Sequence, residues 1–186
     1  GEHVESWSYG KFPYAHAWGE GFSMDPDSPR GIYRCNCLAR LNVADRINTP
    51  LAQAELEEFR SRFGRPVQST MLYHWARLIE LLYACERVVQ LLEDTSITDP
   101  RVRDEVWPRA GRGVGCVEAP RGTLLHDYST DENGCITRAN IIVGTTHNLA
   151  PINMSVKQAA RSLIRNGHVE ESLLNRVEMA VRAYDP

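Results

Sequence analysis

The stretch GCVEAPRGTLLHDY, Gly115 to Tyr128, sets Pro120, Arg121 and Gly122 between two runs of strand-forming residues. Proline fixes φ and cannot donate to a sheet ladder, and glycine tolerates backbone angles closed to other residues, so the triplet interrupts pairing. Two readings follow: a bend with a solvated arginine, or a turn that aims Arg121 at something brought close to the backbone. The runs GVGCVEAP and GTLLHDYST are followed by DENG and a third run, CITRANIIVG. Asn133-Gly134 between alternating runs predicts a hairpin with a tight primed turn, which needs positive φ. A small antiparallel sheet is therefore expected over 112–146, with helices on either side of it.

Before the sheet, NTPLAQAELEEFRSRFG has Thr49 as N-cap, Pro50 at the first helical position and Gly64 just past the end, which predicts a short exposed helix. A longer helix is expected from about Thr70 to Glu93. Met71, Trp75, Leu78, Leu82, Cys85, Val89 and Leu92 recur in steps of four and three, and Leu72, Ile79, Val88 and Leu91 widen the stripe. A stripe that broad predicts burial inside a helical bundle, with Arg77, Glu80, Arg87 and Gln90 on the polar side. His74 reads most simply as a hydrogen-bonded histidine of the core or its boundary.

After the sheet, helices are expected over Asn153 to Arg165, ended by Asn166-Gly167, and over Glu170 to Tyr184. The second has an apolar line of Leu173, Val177, Ala180 and Tyr184 and an i, i+4 pair of Glu178 with Arg182. Residues 1–45 are rich in glycine, proline and aromatics, which suggests an ordered irregular segment wrapped on a partner or on the rest of the fold. The expected fold is mainly α with a small antiparallel β hairpin or sheet. One partial domain over 1–186 would carry a wrapping segment (1–45), helices (46–95), the sheet (112–146) and two helices (151–185).

The 186 residues are 42% hydrophobic and 24% charged, an ordinary globular balance. The formal charge is -3 with no basic block, so nucleic acid is not an expected partner. No apolar run approaches the roughly 20 residues of a membrane span. The opening GEHVESWSYG lacks the charged-then-apolar order of a signal peptide, and a cytoplasmic location is expected. Five cysteines at irregular spacing argue against a disulfide framework. Cys35 and Cys37, one residue apart, form neither a Cys-x-x-Cys redox pair nor half of an ordinary zinc site. The six histidines are scattered, so no complete metal site is expected.

Three segments in order, EAPRGTLLHDY, IIVGTTHNLAPIN and LLNRVEMAVRAYDP, resemble the large subunit of nickel-iron hydrogenases. The resemblance extends to WSYGKFPY, ARLNVADRINTPLA and FGRPVQSTMLYHWARLIELL, and is nearest to the cytoplasmic multimeric kind with pyridine-nucleotide-linked, viologen-reducing or heterodisulfide-linked partners. It implies a helical bundle of the large-subunit type and reversible oxidation of dihydrogen to protons and electrons. In the family, the Pro-Arg-Gly turn places its arginine over the bimetallic centre, near cyanide ligands of the iron. That implies a buried guanidinium at Arg121, with Ala119 and Pro120 shaping the cofactor wall. The segment VGTTHN implies a cyanide-binding hydroxyl at Thr145, at the end of the hairpin, with backbone groups of Val143 and Gly144 nearby. The family often has proline at Gly144. Asp185 matches the carboxylate that pairs with the pocket arginine, so Arg121 and Asp185 are the residues expected at the gas-splitting position.

The resemblance also implies what is missing. The family follows Asp-Pro with Cys-x-x-Cys-x-x-His and carries an Arg-x-Cys-Gly-x-Cys motif nearer its N terminus, whereas this sequence stops at Asp185-Pro186 and has only RCNC. Thiolates hold the nickel, so these residues alone are expected to bind no metal and to be inactive. The expectation is a C-terminal portion of a large subunit, cut before its metal-binding tail. A chosen truncation is favoured, since the leading glycine resembles a tag scar. In the full-length enzyme a nickel-iron centre with cyanide and carbon monoxide ligands, an iron-sulfur small subunit, an electron-acceptor module and maturation factors are implied. The fragment itself would expose apolar surface and could dimerise. An alternative is a non-catalytic scaffold or relic related to the quinone-site subunit of respiratory complex I, which shares the turn without the metal cysteines.

Overall fold

The computed structural model describes residues 1–4, 11–16 and 21–186. Among them are two short strands, β1 (Glu2–Val4) and β2 (Lys11–Pro13), then helices α1 (Cys37–Val43), α2 (Pro50–Phe63) and α3 (Tyr73–Leu92), the last entered through a 3-10 turn over Thr70–Leu72. A three-stranded sheet follows, β3 (Gly111–Ala119), β4 (Gly122–Thr130) and β5 (Ile136–Ile142), and the chain continues through α4 (Gly144–Leu163) and α5 (Glu171–Arg182). The mainly helical architecture with a small antiparallel sheet is the one the sequence predicts.

The N-terminal segment is less irregular than its composition suggests. β1 and β2 pair antiparallel, and Phe12 on β2 is buried against His3 and Phe22. The same expected segment, 1–45, also contains α1, a regular helix that buries Cys37, Leu38 and Leu41 in the core, while 5–10 and 17–20 lie outside the described residues.

The core is built where α1, α2 and α3 meet the end of the chain. It contains Cys37, Leu38 and Leu41 of α1, Ala52, Leu56 and Phe59 of α2, Tyr73, Ala76 and Ile79 of α3, and Ala183 and Tyr184. Full burial of a side chain such as Leu56, Phe59 or Ile79 stabilises by about 1.5–3 kcal/mol. Helix α2 is therefore not the exposed helix its charged sequence predicts; a narrow face of three residues is buried. Its boundaries are as predicted, at Pro50 and at Gly64, whose φ is 76°. Its N-terminal donors are met differently. Thr49 makes no side-chain cap, and the Glu86 carboxylate of α3 accepts from the amides of Leu51 (3.0 Å) and Ala52 (2.9 Å).

Helix α3 buries a different face from the expected stripe. Tyr73, Ala76 and Ile79 are inside, and Trp75 and Leu82 pack at the edge of the core. Leu78, Val89 and Leu92 are 63%, 59% and 71% exposed, and His74 is exposed rather than part of the core. The helix is apolar on two adjacent faces, and periodicity cannot tell which of them the neighbouring helices cover.

Helix α4 begins at Gly144, well before Asn153. Pro151 lies inside it and is buried. A proline removes only its own N–H from the helical ladder, and flanking turns can keep theirs. The turn predictions exchange places. At residues 131–135 only Gly134 has positive φ (78°), and the Asp131 carboxylate accepts from the amides of Asn133 and Cys135 in a longer loop. Asn166 (54°) and Gly167 (70°) both have positive φ between the bridged residues Arg165 and His168, the backbone of a primed turn. The apolar line of α5 lies as predicted, with Ala180 and Tyr184 buried and Leu173 and Val177 partly so. Among the described residues no helix is long and apolar enough to cross a membrane.

Leu56→Ala is expected to cost about 2–5 kcal/mol in denaturant unfolding, and Leu78→Ala less than about 0.5 kcal/mol. Equal effects would show that the buried face of α3 is misassigned.

Candidate functional site

Ala119 pairs with Gly122 across the β3–β4 ladder, so Pro120 and Arg121 form a two-residue hairpin tip. Neither tip residue has positive φ, so the turn is an unprimed one, and proline at its first position pre-sets the negative φ that such a turn takes. Gly122 has φ 134°, and a Cβ there would lie 2.8 Å from Cβ of Cys35. A Cβ on Gly144 would lie 2.8 Å from the carbonyl carbon of Arg121 and 2.9 Å from the amide of Gly122. Two glycines thus let the Arg121–Gly122 peptide rest directly against the start of α4. This contact sets Arg121 against Gly144, the chain neighbour of Val143 and Thr145. Thr145 stands in the first turn of α4, not at a strand end, because the helix starts at Gly144 with Val143 as its cap.

Arg121 meets Asp185 across the site. Its Nε donates to the Asp185 carbonyl oxygen (2.5 Å) and lies 3.3 Å from Asp185 Oδ2. The two side chains are 49% and 48% exposed, so the guanidinium is not buried as the resemblance implies, and the ion pair contributes about 0–1 kcal/mol. Its value is geometric. Both contacts use Nε and leave the Nη groups on the far side of the fork. Asp185 has φ 53° and is placed by the two residues before it. Arg77 of α3 donates to the Ala183 carbonyl (2.8 Å), and the Asn36 amide donates to the Tyr184 carbonyl (2.7 Å). The Tyr184 ring lies 4.9 Å from that of Tyr73, and its hydroxyl meets Ser155 at 2.9 Å.

Three further residues shape the site and are not singled out by the sequence. His147, buried in α4, donates from Nε2 to the Thr123 carbonyl (2.8 Å), which fixes Nδ1 as acceptor for the Tyr33 hydroxyl (2.6 Å). Asn148, also buried, accepts from the Cys35 amide (2.9 Å) and donates to the Arg121 carbonyl (3.4 Å). Both lie in the VGTTHN motif that draws attention to Thr145. Arg40 of α1 reaches the hairpin tip: its Nη1 donates to Glu118 Oε1 (2.6 Å) and the Ala119 carbonyl (3.0 Å), and its Nη2 to the Pro120 carbonyl (2.7 Å). Glu80 of α3 takes Nε and Nη2 at 2.6 Å each. Burial works against the charge on Arg40, but the bonds and charges of Glu80 and Glu118 more than offset it and raise its pKa. Glu118 is in turn held below the usual carboxylate range: partial burial opposes this, and hydrogen bonds from Thr123 and Arg40 outweigh it. No local pattern announces Arg40, because its partners lie about forty and eighty residues away in sequence.

The thiols of Cys35 and Cys37, the two cysteines nearest the site, are poorly disposed to ligate a metal. Burial, with the nearby Glu118 charge, pushes Cys35 up to about 11; burial, with Glu80, does the same for Cys37. The Cys37 thiol donates to the Tyr73 carbonyl at 3.3 Å. Such groups stay protonated near neutrality, whereas metal ligation requires thiolate. Among the described residues no three or more of His, Cys, Asp and Glu come together as a metal site.

The class of protein is given by comparison with known proteins, and it is the nickel-dependent hydrogenases. Residues 35–186 match the nickel-dependent hydrogenase family, and the chain belongs to that family. The chain is 48% identical to an iron-sulfur subunit of the F420-non-reducing hydrogenase of Archaeoglobus profundus, over 99% of its own length and 38% of that protein's. It is 42% identical to the beta subunit of the NAD-reducing hydrogenase HoxS of Cupriavidus necator, over 100% of this chain and 37% of that one. The crystal structure of an NAD+-reducing [NiFe]-hydrogenase in the H2-reduced state superposes with a TM-score of 0.87 at 42% identity, covering 100% of this chain and 40% of that one. The chain thus spans well under half the length of these relatives.

All five cysteines are free. At pH 8, iodoacetamide is expected to modify the exposed Cys85, Cys116 and Cys135 while sparing Cys35 and Cys37, read by peptide mass. Equal labelling of Cys37 would contradict its placement.

Proposed function

We propose that the chain is part of the catalytic subunit of a nickel-iron hydrogenase and supplies residues around the metal centre without ligating it. The observation that carries this reading is that Arg121 meets both Asp185 and Gly144, the chain neighbour of Val143 and Thr145, residues distant in sequence that the family resemblance assigns to one pocket. In the full-length enzyme a nickel-iron centre with cyanide and carbon monoxide ligands supplies the reversible oxidation of dihydrogen to protons and electrons. Its thiolate ligands come from the parts of the family's polypeptide that this chain does not cover. An electron-acceptor module and an iron-sulfur small subunit carry the electrons away, and maturation factors install the centre. The chain alone binds no nickel and is inactive.

The residues present have definable tasks. An arginine stays charged at any working pH and offers N–H donors in a rigid fork. Asp185 engages Nε, and among the described residues the Nη groups of Arg121 have no hydrogen-bond partner, so they are disposed to hold an anionic ligand and to stabilise negative charge developing there. Ala119 and Pro120 form the adjacent wall. Thr145 offers a hydroxyl donor, and Val143 and Gly144 offer backbone groups close by. Asp185 orients the fork and balances its charge.

The test uses the full-length protein matured with its factors. Arg121→Lys is expected to lower hydrogen-dependent viologen reduction by about 100- to 1,000-fold, with nickel content unchanged. Undiminished turnover in the nickel-loaded variant, or stoichiometric nickel binding by the 186-residue chain alone, would overturn the reading.

A further inference from the structure

We infer that Arg40 is the positioning residue of the site, fixing the orientation of Arg121 by clamping the two carbonyls that precede it. A guanidinium has five N–H donors, and Arg40 uses every one. Nε goes to Glu80 Oε1, Nη1 to Glu118 Oε1 and the Ala119 carbonyl, and Nη2 to Glu80 Oε2 and the Pro120 carbonyl. The Pro120 carbonyl belongs to the peptide plane that enters Arg121, so pinning it sets the direction from which the Arg121 side chain leaves the turn. On the other side of the same residue, the Arg121 carbonyl is met by Asn148 and packed against Gly144. The turn is therefore held on both flanks, while among the described residues the exposed side chain it carries has only Asp185 as a partner.

The clamp also separates two charges. Arg40 shares its hydrogen bonds between two carboxylates, so its charge is satisfied locally and it does not compete with Arg121 for an anion. Glu118 is fixed independently by the Thr123 hydroxyl at 2.6 Å, and Glu80 stands on α3, a helix of the core. Arg40 thus ties the hairpin tip to α1 and α3. Lysine keeps the charge but has a single ammonium, which cannot span acceptors on both α3 and the tip.

The part of this inference that concerns turnover rests on the hydrogenase reading, and two readouts in the full-length enzyme keep the two apart. Amide exchange over residues 119–123 is expected to quicken about tenfold or more in Arg40→Lys with exchange in α2 unchanged, the mark of local rather than global loosening. Glu118→Ala, at a half-exposed position away from the core, is expected to give the same local pattern more weakly. Arg40→Lys is expected to lower kcat about 100-fold, as for a small misplacement of a reacting group, with nickel content unchanged. Adding it to Arg121→Lys is expected to cost little more, since the two substitutions disable one device. Unchanged exchange at the tip in both variants would overturn the clamp. An additive double variant, or full turnover in Arg40→Lys beside a crippled Arg121→Lys, would overturn its positioning role. If Arg121→Lys leaves turnover intact, the hydrogenase role of Arg121 falls, and amide exchange still decides whether Arg40 holds the turn.

Discussion

The Asn36 amide, 2% exposed and at φ 86°, holds the carbonyl of Tyr184 at 2.7 Å, and the shape of the site depends on that bond. The same side chain accepts from the Cys37 amide and so caps α1. One residue thereby begins a core helix and docks the far end of the chain onto it. Were either partner lost, a polar group left unpaired in the interior would cost about 1–3 kcal/mol. With Tyr184 seated against Tyr73, Asp185 follows it directly and meets Arg121.

Much of the surrounding structure follows the same logic. Turns, strand ends and chain ends carry carbonyls that no ladder satisfies, and backbone groups taken out of water must be paired. Here long polar side chains from the helices supply the donors: Arg77 for Ala183, Arg40 for Ala119 and Pro120, His147 for Thr123, Asn148 for Arg121. The site is a set of backbone turns held by helical side chains, with Gly122 and Gly144 providing the close approach that side chains would block. Such a site fixes direction more than it contributes stability, consistent with a half-exposed Arg121–Asp185 pair whose energetic worth is small.

Punctuation was legible in the sequence. Pro50 and Gly64 bound α2, the three alternating runs form the sheet, and the resemblance singled out Arg121 and Asp185, which the fold brings together. What could not be read depends on contacts between distant segments. The buried face of α3 is decided by where α1 and α2 lie, and its apolar residues encircle too much of the helix to vote. The helix expected from Asn153 in fact starts at Gly144 and passes through Pro151, a residue that removes a ladder donor and so gives no local sign of a helix. Arg40 and Asn36 look like any polar residues of a helix start, and only tertiary structure reveals what they hold. The primed Asn-Gly turn illustrates the same limit: the dipeptide occurs twice, and its surroundings decide that the second copy adopts it.

The most direct measurement is a structure of the full-length matured protein at a resolution that shows hydrogen bonding around Arg121. Asp185 is expected to engage Nε of Arg121 there as well, while the Nη groups lie about 2.7–3.2 Å from a ligand of the metal centre. A guanidinium turned to bulk solvent away from that centre, or an Arg121 released from Asp185, would contradict the role assigned to this pair.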